Sequence, residues 1–205
     1  MAKNMKKSFS KEDKIWITSH EFFLTIIKIY KEHNFWMTGN KSWDLIKWNA
    51  NGNVLISEKA LFKFLNDKKL TKNSKAYEYG GNKGARCFVA EHPVPTSELV
   101  QRFAFKNFKD GPPDLETFKT YFSTFNRICY IWHLEDQDLN KAGLRSSIRI
   151  DNINKNNMFS RYETLNIVPI STNFKTGLEL FKYLKKEREN GSSFEYVKKM
   201  IKINE

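Results

Sequence analysis

Two histidines close short apolar runs in this sequence, and they are the residues best placed to do chemistry. His92 ends the run Cys87–Ala90 inside CFVAEHPVP, directly after Glu91 and before two prolines. His133 ends the run Ile128–Trp132 and is followed at once by Glu135, Asp136 and Asp138. An imidazole at a strand end can take a proton from water or bind a metal through one ring nitrogen. A histidine beside clustered carboxylates can hold Mg2+ or a similar hard divalent cation, which prefers oxygen ligands. The competing account for Glu135 and Asp136 is that acids at a helix start complement the helix dipole. In an extended backbone Glu91 and His92 face opposite sides, so one of them faces a site and the other faces the core. The remaining histidines, His20 and His33, sit at a helix start and a helix end, where capping duty explains them.

The charge points to a polyanionic partner. Net charge is +12 with a pI near 9.5, which favours nucleic acid, above all double-stranded DNA. Lysine greatly outnumbers arginine, and AT-rich coding supplies lysine cheaply, so each arginine says more than each lysine. Arg145 and Arg149 in the polar, Asn-rich stretch 145–162 are the leading phosphate contacts, joined by Arg161, Arg86, Arg102 and Lys83. Solvated charge or structural ion pairing is the alternative for these arginines. Walker A, GxGxxG, GxSxG and HExxH motifs are absent from the sequence, which argues against NTPases, dinucleotide enzymes, α/β-hydrolases and zincins. Cys87 and Cys129 lack C-x-x-C spacing and read as buried thiols rather than metal ligands or a disulfide.

Ala90-Glu91-His92-Pro93-Val94-Pro95 resembles the acidic-His-x-x-Pro core of the HNH, or ββα-metal, nucleases. The resemblance covers about ten residues. It implies His92 as the general base that activates water and Glu91 as an acid linked to the metal. Joined to the second cluster, this gives a catalytic set of His92, Glu91 and His133 and a metal set of Glu91, Asp136 and Glu135.

These residues need a scaffold, and apolar spacing supplies one. Residues 1–14 read as a basic arm and 15–205 as a single α+β domain. Helices are expected over 19–32, 57–70, 115–126, 135–142, 174–188 and 193–202, with a further one after Pro95. Gly80-Gly81-Asn82-Lys83-Gly84 reads as the turn of a β-hairpin near 76–90, with short strands at 128–132 and 167–170. The fold class is therefore α+β, mostly helical, with a small mixed or antiparallel sheet. A winged-helix-like part at 15–90 would be followed by a helical/β part at 91–205. If the two histidine-bearing strands are sheet neighbours, their ends build one site. No run reaches the roughly 18 apolar residues that span a bilayer, and the chain reads as cytoplasmic. The functional expectation is a metal-dependent endonuclease acting on DNA, a restriction or defence enzyme in type, compatible with a homodimer. The alternative is a non-catalytic nucleic-acid-binding protein with winged-helix features.

Overall fold

The structure, a computed structural model, describes residues 9–33, 46, 51–67, 88–108 and 110–203. The fold is α+β: mostly helical, around a four-stranded mixed sheet of order β2-β3-β1-β4.

Helix α1 runs Lys11–His33 and starts eight residues before the expected point. Ser10 and Asp13 account for the difference. The Asp13 backbone N–H donates to Ser10 Oγ at 3.0 Å, and the Asp13 carboxylate accepts from the Ser10 N–H and hydroxyl at 3.2 and 2.7 Å. That reciprocal pair is a capping box, and Ser19, the first residue of the expected span, lies buried inside the helix. Lys11 and Lys14 are thus helical, and residues 1–8 of the expected arm lie outside the described residues.

Strand β1 (Leu55–Ser57) leads straight into α2 (Glu58–Asn66), because Ser57 accepts from the Ala60 N–H and caps the helix. Strand β2 (Phe88–Glu91) follows; the first arm and tip of the expected hairpin, with Lys83 and Arg86, lie outside the described residues. Next come a seven-residue π-helix, Glu98–Ala104, the short α3 (Phe105–Phe108) and α4 (Leu115–Phe125), which Asp114 caps through Thr117 N–H at 2.7 Å. Strand β3 (Cys129–Trp132) runs into α5 (His133–Lys141), closed by Gly143 at φ +69°. The one-turn α6 (Ser160–Glu163), β4 (Pro169–Ser171), α7 (Gly177–Glu189) and α8 (Phe194–Ile201) complete the chain.

Pairing of β3 is antiparallel to β2 and parallel to β1, and β1 is antiparallel to β4. Both faces of the central strand are covered, so Cys129–Trp132 is buried throughout and reads as an unbroken apolar run. Ile56, Tyr130 and Trp132 face a layer made by α2, α7 and α8. Leu55, Cys129 and Ile131 face Leu139 of α5 and Tyr162 of α6. A third core joins α1, the π-helix, α4 and the loop residues Ile148 and Met158 through Phe23, Phe103, Phe118 and Phe122. Among the described residues no helix is long and apolar enough to cross a membrane.

Candidate functional site

The strand register decides which predicted residues meet. Glu91 pairs with Cys129 and Phe88 with Trp132. The histidine-bearing strands are neighbours, as expected, but they run in opposite directions. His92 therefore lies opposite Ile128 at the start of β3 and His133 follows its end, five positions apart, or about 17 Å along the sheet. The expected convergence of the two histidines does not occur.

What does converge is an arginine-centred node on the α5–α6 side of the sheet. Glu91 shares that face with Val89. Arg161 of α6 is 1% exposed, and all five of its N–H donors are engaged. Its Nε donates to Pro93 O at 2.8 Å; one terminal nitrogen donates to Leu144 O and to Arg145 O, and the other to the Glu91 carboxylate and to His92 O. The neighbouring Tyr162 hydroxyl donates to the same Glu91 oxygen at 2.9 Å. A planar guanidinium is the side chain that can satisfy so many carbonyls at once. The node therefore pins the turn after β2 to the turn after α5 and to α6.

Burial raises the Glu91 pKa above the ordinary carboxyl value; Arg161 and the Tyr162 hydroxyl pull it down, and the charge of Asp136 adds to the rise. Helix α5 thus folds back along β2 and brings Asp136, one turn after His133, near Glu91. Asp136 also faces Arg145, at 3.5 Å from its Nε. Burial likewise drives the Cys129 thiol and the Tyr162 phenol well above their usual ranges, so both stay protonated at neutral pH.

Glu135 belongs elsewhere. It is buried and accepts from the Trp132 N–H at 2.8 Å and from the Ser57 hydroxyl at 2.6 Å. One carboxylate thus closes the start of α5 and ties it to the start of α2, 78 positions earlier. His133 packs against Trp132 with the rings tilted at 53° and their centroids 4.8 Å apart. His92 is buried at 6% exposure. Among the described residues no group of three or more His, Cys, Asp and Glu side chains could hold a metal ion. The expected set of Glu91, Asp136 and Glu135 does not fit a hard cation: Glu91 is held by a guanidinium and a phenol, and Glu135 by a hydroxyl and an amide.

The expected nucleic-acid contacts also separate. Arg161 is internal and offers no donor to a phosphate. Arg102 donates to Ile148 O and Ile150 O and pairs with Glu98 at 3.0 Å, clamping the 148–151 loop onto the π-helix. Arg145 and Arg149 are exposed. Arg127 and Arg188, outside the expected contact set, act like Arg161. Arg127 Nε donates to Asn53 O at 3.0 Å, and Arg188 to Phe64 O and Asp67 O at 2.6 and 2.8 Å. The signal for this role was present in the sequence, since in a chain of 28 lysines and seven arginines an arginine marks a place that needs a planar, multi-donor cation. That need is met by loop carbonyls as readily as by phosphates.

The lysines lie outside. Lys175, Lys182, Lys185, Lys186, Lys199 and Lys202 are exposed on α7, α8 and their flanks. Residues 175–203 carry seven lysines and one arginine against four glutamates, and residues 68–87 carry five lysines and one arginine against one glutamate. These two stretches hold +9 of the +12 net charge. They share an anchor: Arg188 of α7 grips the carbonyl of Asp67, the last described residue before 68–87. Comparison with protein-family models, curated proteins and solved structures returned no match.

Proposed function

We propose that the protein binds nucleic acid through a lysine-rich surface on α7 and α8, beside the end of α2 that precedes the basic 68–87 stretch in sequence. The observation that carries this reading is the concentration of +9 of the net charge in two stretches, with Arg188 of one bonded to Asp67, the residue that precedes the other. Scattered codon-driven lysine would not be so concentrated. Charge of this kind binds phosphate backbones by releasing counterions and gives no sequence specificity by itself. The test is fluorescence anisotropy with duplex DNA and RNA over a range of salt. A steep fall of log affinity with log salt is expected. Reversing Lys182 and Lys186 to Glu should flatten that slope by about two, near one per phosphate contact. A salt-independent affinity, or none, would sink the proposal.

A second reading, a metal-dependent endonuclease, draws on one observation. Glu91, with its raised pKa, stands near Asp136 and next to His92 in sequence. Strongly perturbed carboxylates occur at catalytic sites as well as in structural networks. Incubation of the protein with DNA and Mg2+ or Mn2+ separates the readings. Cleavage abolished by His92→Ala supports the enzyme, whereas binding without turnover supports the first reading.

A further inference from the structure

A cavity of about 270 Å3 opens between the end of α5 and α6, lined by Ala142, Leu144, Arg149, Ser160, Arg161 and Thr164. No carboxylate lines it. The charges around it leave one cation over. Glu91 is neutralised by Arg161 and Asp136 faces Arg145, while among the described residues Arg149 has no ion pair. It is the one described arginine that neither serves backbone carbonyls nor faces an acid.

Four carbonyls around the cavity are already engaged by side-chain donors. Arg161 takes those of Leu144 and Arg145, the Ser147 hydroxyl takes that of Gly143 at 3.1 Å, and the Thr164 hydroxyl takes that of Ser160 at 3.0 Å. Of the lining residues with side-chain donors, Arg149 and Ser160 are the two whose donors serve no described carbonyl. A guanidinium fork with a hydroxyl beside it matches a tetrahedral oxyanion.

We propose that this cavity is a phosphate pocket, with Arg149 as the charged ligand and Ser160 as a hydroxyl donor, seating one phosphate group of the bound nucleic acid. This rests on the nucleic-acid reading above for the identity of the phosphate, but not for the pocket itself. Arg161 forms the pocket floor and contributes shape rather than donors.

The experiment is isothermal titration of the full chain with inorganic phosphate, followed by binding of one oligonucleotide with and without a 5′-phosphate. Saturable phosphate binding is expected. Arg149→Ala should weaken it about tenfold or more, as removal of a charge-assisted hydrogen bond does. Arg149→Lys keeps the charge without the fork and should recover only part of the loss, and Ser160→Ala should cost less. For the oligonucleotide, Arg149→Ala should lower the salt slope by about one. No phosphate binding, or phosphate binding indifferent to Arg149→Ala, overturns the pocket. Arg149-dependent phosphate binding without any oligonucleotide binding supports the pocket and overturns the nucleic-acid reading. Oligonucleotide binding unchanged in affinity and salt slope by Arg149→Ala supports the nucleic-acid reading and overturns the assignment of a nucleic-acid phosphate to the pocket.

Discussion

The arginines bonded to backbone carbonyls and the exposed lysines divide the work of this molecule differently from what their chemistry in isolation suggests. Arg161, Arg102, Arg127 and Arg188 turn inward to loop carbonyls, whereas lysines cover α7 and α8. The guanidinium is rigid, weakly hydrated and rich in donors, so folding can place it where several carbonyls end together. The ammonium keeps its hydration and stays at the surface. The arginines therefore act chiefly in stability and, under the proposed function, the lysines act in binding, so substitutions in the two groups should affect different measurements.

Arg161 gives the largest effect. Arg161→Ala leaves the Glu91 carboxylate and four carbonyls without their donor, and a cost of about 3–5 kcal/mol is expected in urea unfolding. Arg161→Lys should recover less than half of that, because three donors cannot serve five bonds. If Arg161→Ala retains wild-type stability but loses nucleic-acid binding, the division between the two groups collapses.

Arg188 tests the boundary, since it belongs structurally to the first group and lies within the basic stretch of the second. Its two bonds hold the end of α2 to α7. Arg188→Ala should cost about 1.5–3 kcal/mol in unfolding, the range for hydrogen bonds to charged groups. It should also weaken binding by more than loss of a single phosphate contact, because the end of α2 at Asp67 is released from α7.

Ser57→Ala should follow at about 1–2 kcal/mol. It removes the α2 cap and the bond to Glu135, and nucleic-acid binding should be unaltered once the folded fraction is equal. The cap was legible in the sequence, because Ser57 stands at the first position of the expected 57–70 helix and a cap is decided within four residues. The second half of Ser57's role was not legible. Its partner is 78 positions away, just as Glu91 and Arg161 are 70 positions apart, and no local pattern encodes such a pairing. The same limit explains the histidines. Two apolar runs ending in His suggested neighbouring strands, and the strands are neighbours, but direction within a sheet is set by the connection rather than by the strand sequence. A polar strand end followed by two prolines looks alike whether it feeds a metal or a guanidinium.

Tyr162→Phe is the smallest and most diagnostic change. It deletes one hydrogen bond to a buried carboxylate, about 1 kcal/mol by the usual range, and its pH dependence identifies the group responsible. Glu91 has a folded-state pKa raised above 4.5. Its folded form therefore holds a proton more tightly than its unfolded form. The associated stability is fully present below 4.5 and is lost as pH rises through the raised folded value. The Tyr162 hydroxyl favours the charged form, so Tyr162→Phe should raise the Glu91 pKa further and extend that decline to higher pH. Glu91→Gln should abolish this component of the slope. Urea midpoints across the acidic to neutral range check both. If Glu91→Gln leaves the pH profile unchanged, the node does not carry the titration assigned to it. If Tyr162→Phe moves the decline downward, the phenol is acting on a different partner from the one its geometry names.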